Sequence, residues 1–178
     1  MDRIWSPWRH SYVTRAEDAT DCVFCVAQST DAGRVLVVHE APLTYVILNL
    51  YPYNSGHLMV VPRRHAASLS LLTRDELNEI ALLTQRSEQV LTEAYQPQGI
   101  NVGMNLGRPA GAGIVDHLHV HLVPRWNGDT NFMSVVGEVR VLPEELPRTA
   151  ARLRPLFAKL TSTDPNDFRS HPRAASRP

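Results

Sequence analysis

Three histidines alternate with aliphatic residues in the segment DHLHVHLVPRW (116–126). His117, His119 and His121 occupy every second position, so on an extended strand their side chains share one face while the intervening aliphatic residues face the core. Same-face neighbours lie about 6.6–7 Å apart. Because imidazole titrates near neutral pH, this row can supply a nucleophile or general base, or part of a metal site. In the catalytic interpretation all three histidines take part, since imidazoles that flank the nucleophile could orient it and hold phosphate oxygens. A solvated sheet face is the third interpretation, but Lys, Thr and Glu are more usual there.

The only cysteines of the chain, Cys22 and Cys25, form a C-x-x-C pair. By itself the pair is compatible with half of a zinc site, a redox pair or coincidence. A closed zinc site needs four ligands, and His65 and His117 are the candidates for the other two. A thioredoxin-like role is disfavoured, because no βαβ pattern surrounds the pair.

Composition limits the classes of partner. The chain has 178 residues, typical of one domain, and its 18 Lys+Arg balance its 18 Asp+Glu. Bulk charge therefore predicts neither nucleic-acid nor membrane binding, and local groups must hold any anionic substrate. The sequence has no apolar run long enough for a membrane span and no apolar secretory segment near its N-terminus. We therefore expect a cytoplasmic protein.

Hydrophobic periodicity predicts strands at 34–40, 43–50, 57–62, 100–106 and 117–124. Thr73 to Glu76 form a capping box, and apolar residues at three- and four-residue steps predict a long helix that ends before Pro97. A weaker helix is predicted over 143–159, with a kink or break at its prolines. The expected fold is α+β: an antiparallel five-stranded sheet, one long helix and a C-terminal helix, in a single domain (1–161). Residues 1–21 read as an irregular arm, and residues 162–178 as a loose tail.

The triad and two further blocks resemble the histidine triad (HIT) superfamily. The blocks are NLYPYNSGHLMVVPRRH (49–65) and NVGMNLGRPAGAG (101–113), and the likeness covers about residues 22–138. The fragments NLYPYN, GHLMVVP, HLHVHLVPRW and GDTNF are most similar to bacterial diadenosine polyphosphate hydrolases and phosphorylases. The resemblance implies a HIT-like fold, a homodimer, and a nucleotide as substrate with no organic cofactor.

The resemblance also implies roles for individual residues. His119 would attack the α-phosphorus of a bound nucleotide and form a covalent nucleotidyl-histidine, while His121 and His57 would hold the α-phosphate oxygens. Asn49 would meet the ribose hydroxyls, and Asn105 would lie near the α-phosphate and leaving group.

The glycine-rich loop 107–113, which includes Gly111 and Gly113, would offer backbone N–H groups to the polyphosphate. In that loop Arg108 is a candidate donor to an attacking phosphate. Trp126 either lines the active site or covers it. Arg63 and Arg64 could approach a polyphosphate, but we interpret them as a solvated pair.

In related proteins zinc is bound by two cysteines, one histidine and the first histidine of the triad. The resemblance therefore implies a structural zinc site at Cys22, Cys25, His65 and His117 that pins the N-terminal arm to the sheet. Two alternatives to a dinucleoside polyphosphate enzyme remain: a purine nucleoside phosphoramidate hydrolase of the same fold, and a zinc- and nucleotide-binding module without turnover. The intact triad argues against the second.

Overall fold

The structure is a computed structural model that describes residues 22–30, 34–129 and 144–163. The predicted arm (1–21) and residues 164–178 of the predicted tail lie outside this part of the chain. Its helices and strands, in chain order, are α1 (Val23–Ser29), β1 (Val37–Glu40), β2 (Thr44–Leu48), β3 (Leu58–Pro62), α2 (Arg74–Tyr95), β4 (Gly99–Gly103), β5 (Val120–Arg125) and α3 (Leu146–Thr163). Single 3-10 turns occur at Leu69–Leu71 and Arg108–Ala110.

The predicted antiparallel five-stranded sheet is confirmed, with strand order β1-β2-β3-β5-β4. The last strand in sequence, β5, lies between β3 and β4. Its residue His121 is therefore paired with Met59 on one side and with Gly103 on the other. This order places the end of the triad at the centre of the sheet, where two neighbouring strands contribute residues beside it.

One face of the sheet carries the larger core. The capping box at Thr73 and Glu76 begins α2 as predicted, and α2 and α3 together cover this face. The buried residues of this cluster include Val46, Leu48, Val60, Ile80, Leu83, Leu91, Leu118, Leu122, Leu153 and Phe157. Burial of side chains of this kind contributes about 1.5–3 kcal/mol each, which makes this layer the main support of the sheet.

The C-terminal helix departs from its prediction. α3 runs without a break through Pro155 and ends at Thr163, two residues inside the predicted tail. Proline removes one helical hydrogen bond, but Leu153 and Phe157 on either side are almost fully buried against the core. The helix is therefore not broken at this position, because burial of its apolar face holds it together, and the predicted alternative of a kink stays a prediction.

The second face of the sheet is covered by α1, a seven-residue helix absent from the predicted elements. Phe24 and Ala27 of α1 pack against Tyr45, Ile47 and other residues of β1, β2 and β3. The Tyr45 hydroxyl, itself buried, donates to the Phe24 carbonyl at 2.8 Å. By strand alternation this is also the face to which His121 points. Among the described residues, no helix is both long and apolar enough to cross a membrane.

The observed strands are shorter than predicted where they approach the triad. β5 begins at Val120 instead of residue 117, because the Leu118 N–H donates to the Ala66 carbonyl (2.7 Å) outside the sheet ladder. β4 ends at Gly103, which leaves Asn105 beyond the strand. The alternation itself holds, since Leu118, Val120 and Leu122 are all buried in the core.

Candidate active site and metal centre

His119 is held as a neutral, oriented imidazole. Its Nδ1–H donates to the His117 carbonyl at 2.8 Å, so the lone pair lies on Nε2, as a nucleophile requires. The ring is only 6% exposed and contacts the Phe24 ring, with 4.9 Å between centroids. Burial lowers the pKa of His119 by disfavouring the cation, and this outweighs the backbone hydrogen bond that would raise the pKa.

His57 and His121 form a directed pair. The His57 Nδ1 accepts from the Tyr53 backbone N–H at 3.1 Å, so the proton of a neutral His57 is on Nε2. That Nε2 lies 3.0 Å from the His121 Nδ1, which must then accept. His121 therefore carries its own proton on Nε2, the form that can donate to a phosphate oxygen. Its ring is perpendicular to that of His119, with centroids 4.7 Å apart.

His57 is enclosed by protein groups, and its contact with phosphate stays a prediction. His57 is 1% exposed, and both its ring nitrogens point to protein groups. Gly56 makes the close approach possible: its φ is +77°, and a Cβ there would come within 2.8 Å of the Tyr95 ring. The chain can thus turn tightly enough for His57 to reach His121.

Two residues predicted to contact the nucleotide, Asn49 and Asn105, lie close to these histidines. The Asn49 N–H donates to the His57 carbonyl (3.1 Å), and its side-chain oxygen accepts from the Tyr51 N–H (2.9 Å). Asn105 lies two residues beyond Gly103, the partner of His121, so the antiparallel register carries it toward His119. Both asparagines are thus near the triad, and their contacts with nucleotide stay predictions.

Asn105 also supports the glycine-rich loop, since its side-chain NH₂ donates to the Gly111 carbonyl at 3.3 Å. The loop turns at Arg108–Ala110 between Gly107 and Gly111, both with positive φ. Gly113 follows in the same irregular stretch.

Trp126 is placed differently. It follows β5, seven residues from His119, so an extended chain separates the two by roughly 23 Å. Its contact with the active site stays a prediction.

The four predicted zinc ligands come together. One ligand atom from each of Cys22, Cys25, His65 and His117 lies within 4.8 Å of all the others, although these residues are far apart in sequence. The His117 Nδ1 is 3.2 Å from the Cys22 Sγ and 3.6 Å from the Cys25 Sγ, and the His65 Nδ1 is 3.5 Å from the Cys25 Sγ. Tetrahedral zinc with ordinary bond lengths separates sulfur from nitrogen by about 3.5 Å.

The chemistry of the donors also suits a metal. The His117 Nε2 lies 2.8 Å from the Pro62 carbonyl, which fixes the tautomer with Nδ1 toward the cysteines, as the hydrogen-bond partners of metal-binding histidines do. Burial opposes ionisation of Cys22, but the neighbouring His117 and the N–H groups of Cys25 and Phe24 outweigh it and lower its pKa to about 6. Burial, followed by the neighbouring Cys22, raises the pKa of Cys25. The cluster could hold one metal ion.

Arg63 and Arg64, predicted to be a solvated pair, are anchored. The Arg63 guanidinium pairs with Glu40 (2.8 Å) and donates to the Ala41 carbonyl. Arg64 makes two bonds to the Glu76 carboxylate that caps α2. Both arginine side chains stay partly exposed, at 31% for Arg63 and 48% for Arg64, and the two anchors fix the segment that presents His65.

Sequence reasoning missed three groups of the site: the Phe24 ring, the Tyr53 N–H and the Pro62 carbonyl. Phe24 contacts both His117 and His119 with its ring. Only the position of Phe24 between the two cysteines could have indicated that it belongs to the site. The other two are backbone groups, which no pattern of side chains encodes.

Comparison with known proteins agrees with this geometry. The family model described as "HIT domain" matches residues 34–128. An AP-4-A phosphorylase of Mycobacterium tuberculosis is 40% identical over 167 residues, covering 89% of this chain and 86% of that protein. A bis(5'-adenosyl)-triphosphatase of Dictyostelium discoideum is 31% identical over 121 residues, covering 65% of this chain and 80% of that protein. A solved Zn-bound histidine triad family protein from Mycobacterium smegmatis superposes with a TM-score of 0.66 at 30% identity, covering 81% of this chain and 98% of that chain.

Proposed function

The chain belongs to the histidine triad (HIT) family, and we propose that it cleaves dinucleoside polyphosphates by transferring a nucleotidyl group through His119. The observation that carries the proposal is the hydrogen bond from the His119 Nδ1–H to the His117 carbonyl. It fixes the tautomer of a buried imidazole so that Nε2 presents a lone pair. Two similar proteins, the AP-4-A phosphorylase and the bis(5'-adenosyl)-triphosphatase, are named for substrates of this class.

For diadenosine tetraphosphate, the first step forms a bond between the His119 Nε2 and the α-phosphorus and breaks the P–O bond to the departing ATP. The adenylyl group stays on His119. His121, with its proton on Nε2, donates to an α-phosphate oxygen and stabilises the charge that develops there. His57 keeps His121 in that tautomer. Covalent catalysis divides one difficult displacement into two easier ones.

In the second step we propose that inorganic phosphate is the acceptor. A phosphate oxygen bonds to the α-phosphorus, the P–N bond breaks, and ADP leaves with His119 restored as a neutral base. A second anion needs nearby donors to offset its repulsion from the nucleotide. The turn at Arg108–Ala110, with Asn105 bracing it through Gly111, is the candidate for that cradle.

We propose that the metal is zinc and that its role is structural. The ligands would be Cys22, Cys25, His65 and His117. When bound, zinc would cross-link α1 to the segments after β3 and before β5. That cross-link would hold the Phe24 ring against His119. The similar Mycobacterium smegmatis protein is described as Zn-bound.

We also propose a homodimer in the cytoplasm. Within the described sheet β4 is an edge strand, and its residue Val102 is 51% exposed. An exposed edge of this kind favours pairing with a second chain. A reducing compartment suits the site, because Cys22 and Cys25 bind metal only as thiolates.

Product analysis tests the function. The protein is incubated with diadenosine tetraphosphate, with and without radiolabelled inorganic phosphate, and the nucleotides are separated. We expect ADP and ATP in the presence of phosphate, with the label in ADP. AMP and ATP under both conditions, with no label in ADP, would overturn phosphate as acceptor and leave hydrolysis. A preference for adenosine phosphoramidate over the tetraphosphate would overturn the substrate class.

A further inference from the structure

The turn between β2 and β3 is fastened to the far end of β5 by one side-chain hydrogen bond network. The Asn54 side-chain NH₂ donates to the Pro124 carbonyl (3.0 Å) and to the Asp129 carboxylate (2.8 Å). Asp129 lies in the turn that follows β5. The network therefore joins the segment before His57 to the strand that carries His121.

The carboxylate at the end of this network is fixed and charged. The Arg125 guanidinium binds both oxygens of Asp129, at 2.6 and 2.8 Å, and the Trp126 N–H donates to one of them at 3.3 Å. The Asp129 side chain is 11% exposed. The Arg125 guanidinium lowers the pKa of Asp129 to about 2 against the effect of burial, so the anchor is ionised at neutral pH.

The other end of the network reaches the His57 ring. The Asn54 carbonyl accepts from the His57 N–H at 3.2 Å. Its neighbour Tyr53 donates its N–H to the His57 Nδ1 and stacks its ring on His57, with 4.9 Å between centroids. The position of the Tyr53 N–H determines which nitrogen of His57 carries the proton.

We propose that Asn54 and Asp129 are positioning residues that hold the turn so that the Tyr53 N–H locks His57, and through it His121, with the proton on Nε2. The inference rests on the proposed function, in which His121 donates to the α-phosphate. Asn54 and Asp129 act on the triad through the turn and His57. Hydrogen bonds to an ionised group are strong enough to hold a turn in one conformation.

The test uses Asn54→Ala and Asp129→Ala in the full-length protein, and each removes one end of the same hydrogen bond. We expect kcat with diadenosine tetraphosphate to fall about tenfold in both variants, with KM little changed, since the loss affects a contact strengthened in the transition state. The double variant should be no slower than the slower single variant, because both residues act in one network. Gln98→Ala is the matched control: Gln98 accepts from the Asn127 N–H in the same turn (2.6 Å) but does not touch Asn54.

Histidine ¹⁵N NMR supplies a readout that a purely structural role would not change. In the wild type, His57 and His121 should each show a protonated Nε2 and an unprotonated Nδ1. In both variants His57 should lose this single tautomer, while Gln98→Ala keeps it. Wild-type ¹⁵N shifts and wild-type kcat in folded Asn54→Ala and Asp129→Ala would overturn the proposal, as would a loss of thermal stability with unchanged shifts. The NMR measurement needs no substrate, so it tests the tautomer of His57 even if the proposed function is wrong.

Discussion

Removing one zinc ligand should destabilise the protein only when metal is present. His65→Asn is the sharpest perturbation, because His65 is exposed and its described contacts, with the Cys25 thiol and the His117 ring, are to other residues of the metal site. A metal shared by Cys25 and His65 closes a loop of 40 residues. In the chain-entropy treatment of cross-links, a loop of that length is worth about 4 kcal/mol. For a chain of this size, each kcal/mol changes Tm by about 2–4 °C, so the loss of the cross-link should lower Tm by roughly 8–16 °C.

The assay is differential scanning calorimetry of wild type and His65→Asn, each loaded with zinc and each treated with a chelator. We expect about one zinc per wild-type chain, a large difference in Tm between the zinc-loaded proteins, and nearly equal Tm values after chelation. Equal Tm values for zinc-loaded and chelated wild type would refute the structural role of the metal. So would a His65→Asn effect that is the same with and without zinc, since that effect would belong to the side chain and not to the cross-link.

Three further outcomes follow from the geometry of the triad and of the glycine-rich loop. His119→Ala should lower kcat for diadenosine tetraphosphate by at least about 10³-fold, while nucleotide binding measured by calorimetry stays near wild type. His39→Ala, on β1 away from the triad, is the control. Wild-type turnover in His119→Ala would contradict the mechanism. Burial lowers the pKa of His119 below 6.5, and its neutral form reacts, so activity is lost as pH falls through that lowered pKa. The acid limb of kcat/KM should therefore lie below pH 6.5, and a limb above that value would show that burial does not control the nucleophile. Arg108→Ala should raise the KM for inorganic phosphate about tenfold and leave the KM for the dinucleotide unchanged; an unaltered phosphate dependence would remove Arg108 from the cradle.

Sequence patterns predicted the elements whose signal is local and repeated. The long helix α2 begins at its capping box, and the alternation of residues 117–122 survives in the burial of Leu118, Val120 and Leu122. The extent of β5 was not predictable, because the Leu118 N–H is taken by the Ala66 carbonyl from another segment. Helix α1 has only seven residues and buries two of them, too few for a period to stand out.

Some features of the candidate site could likewise be predicted from the sequence, and others could not. The four candidate metal ligands could be predicted because cysteine and histidine are the residue types that commonly bind zinc. The fold brings their ligand atoms together. The tautomers of His57, His117 and His119 could not be predicted, since each is set by a backbone N–H or carbonyl. The partners of Arg63 and Arg64 were also hidden, because Glu40 and Glu76 meet them only in the folded chain.

The covalent intermediate is the most direct test of the mechanism. The protein is mixed with diadenosine tetraphosphate in the absence of phosphate, quenched rapidly in base to preserve the P–N bond, and digested for mass spectrometry. We expect one adenylyl group per active chain, on His119, which disappears when phosphate is added before the quench and is then recovered as ADP. An adenylyl group on any other residue, or turnover that proceeds without any adenylylated chain, would contradict it.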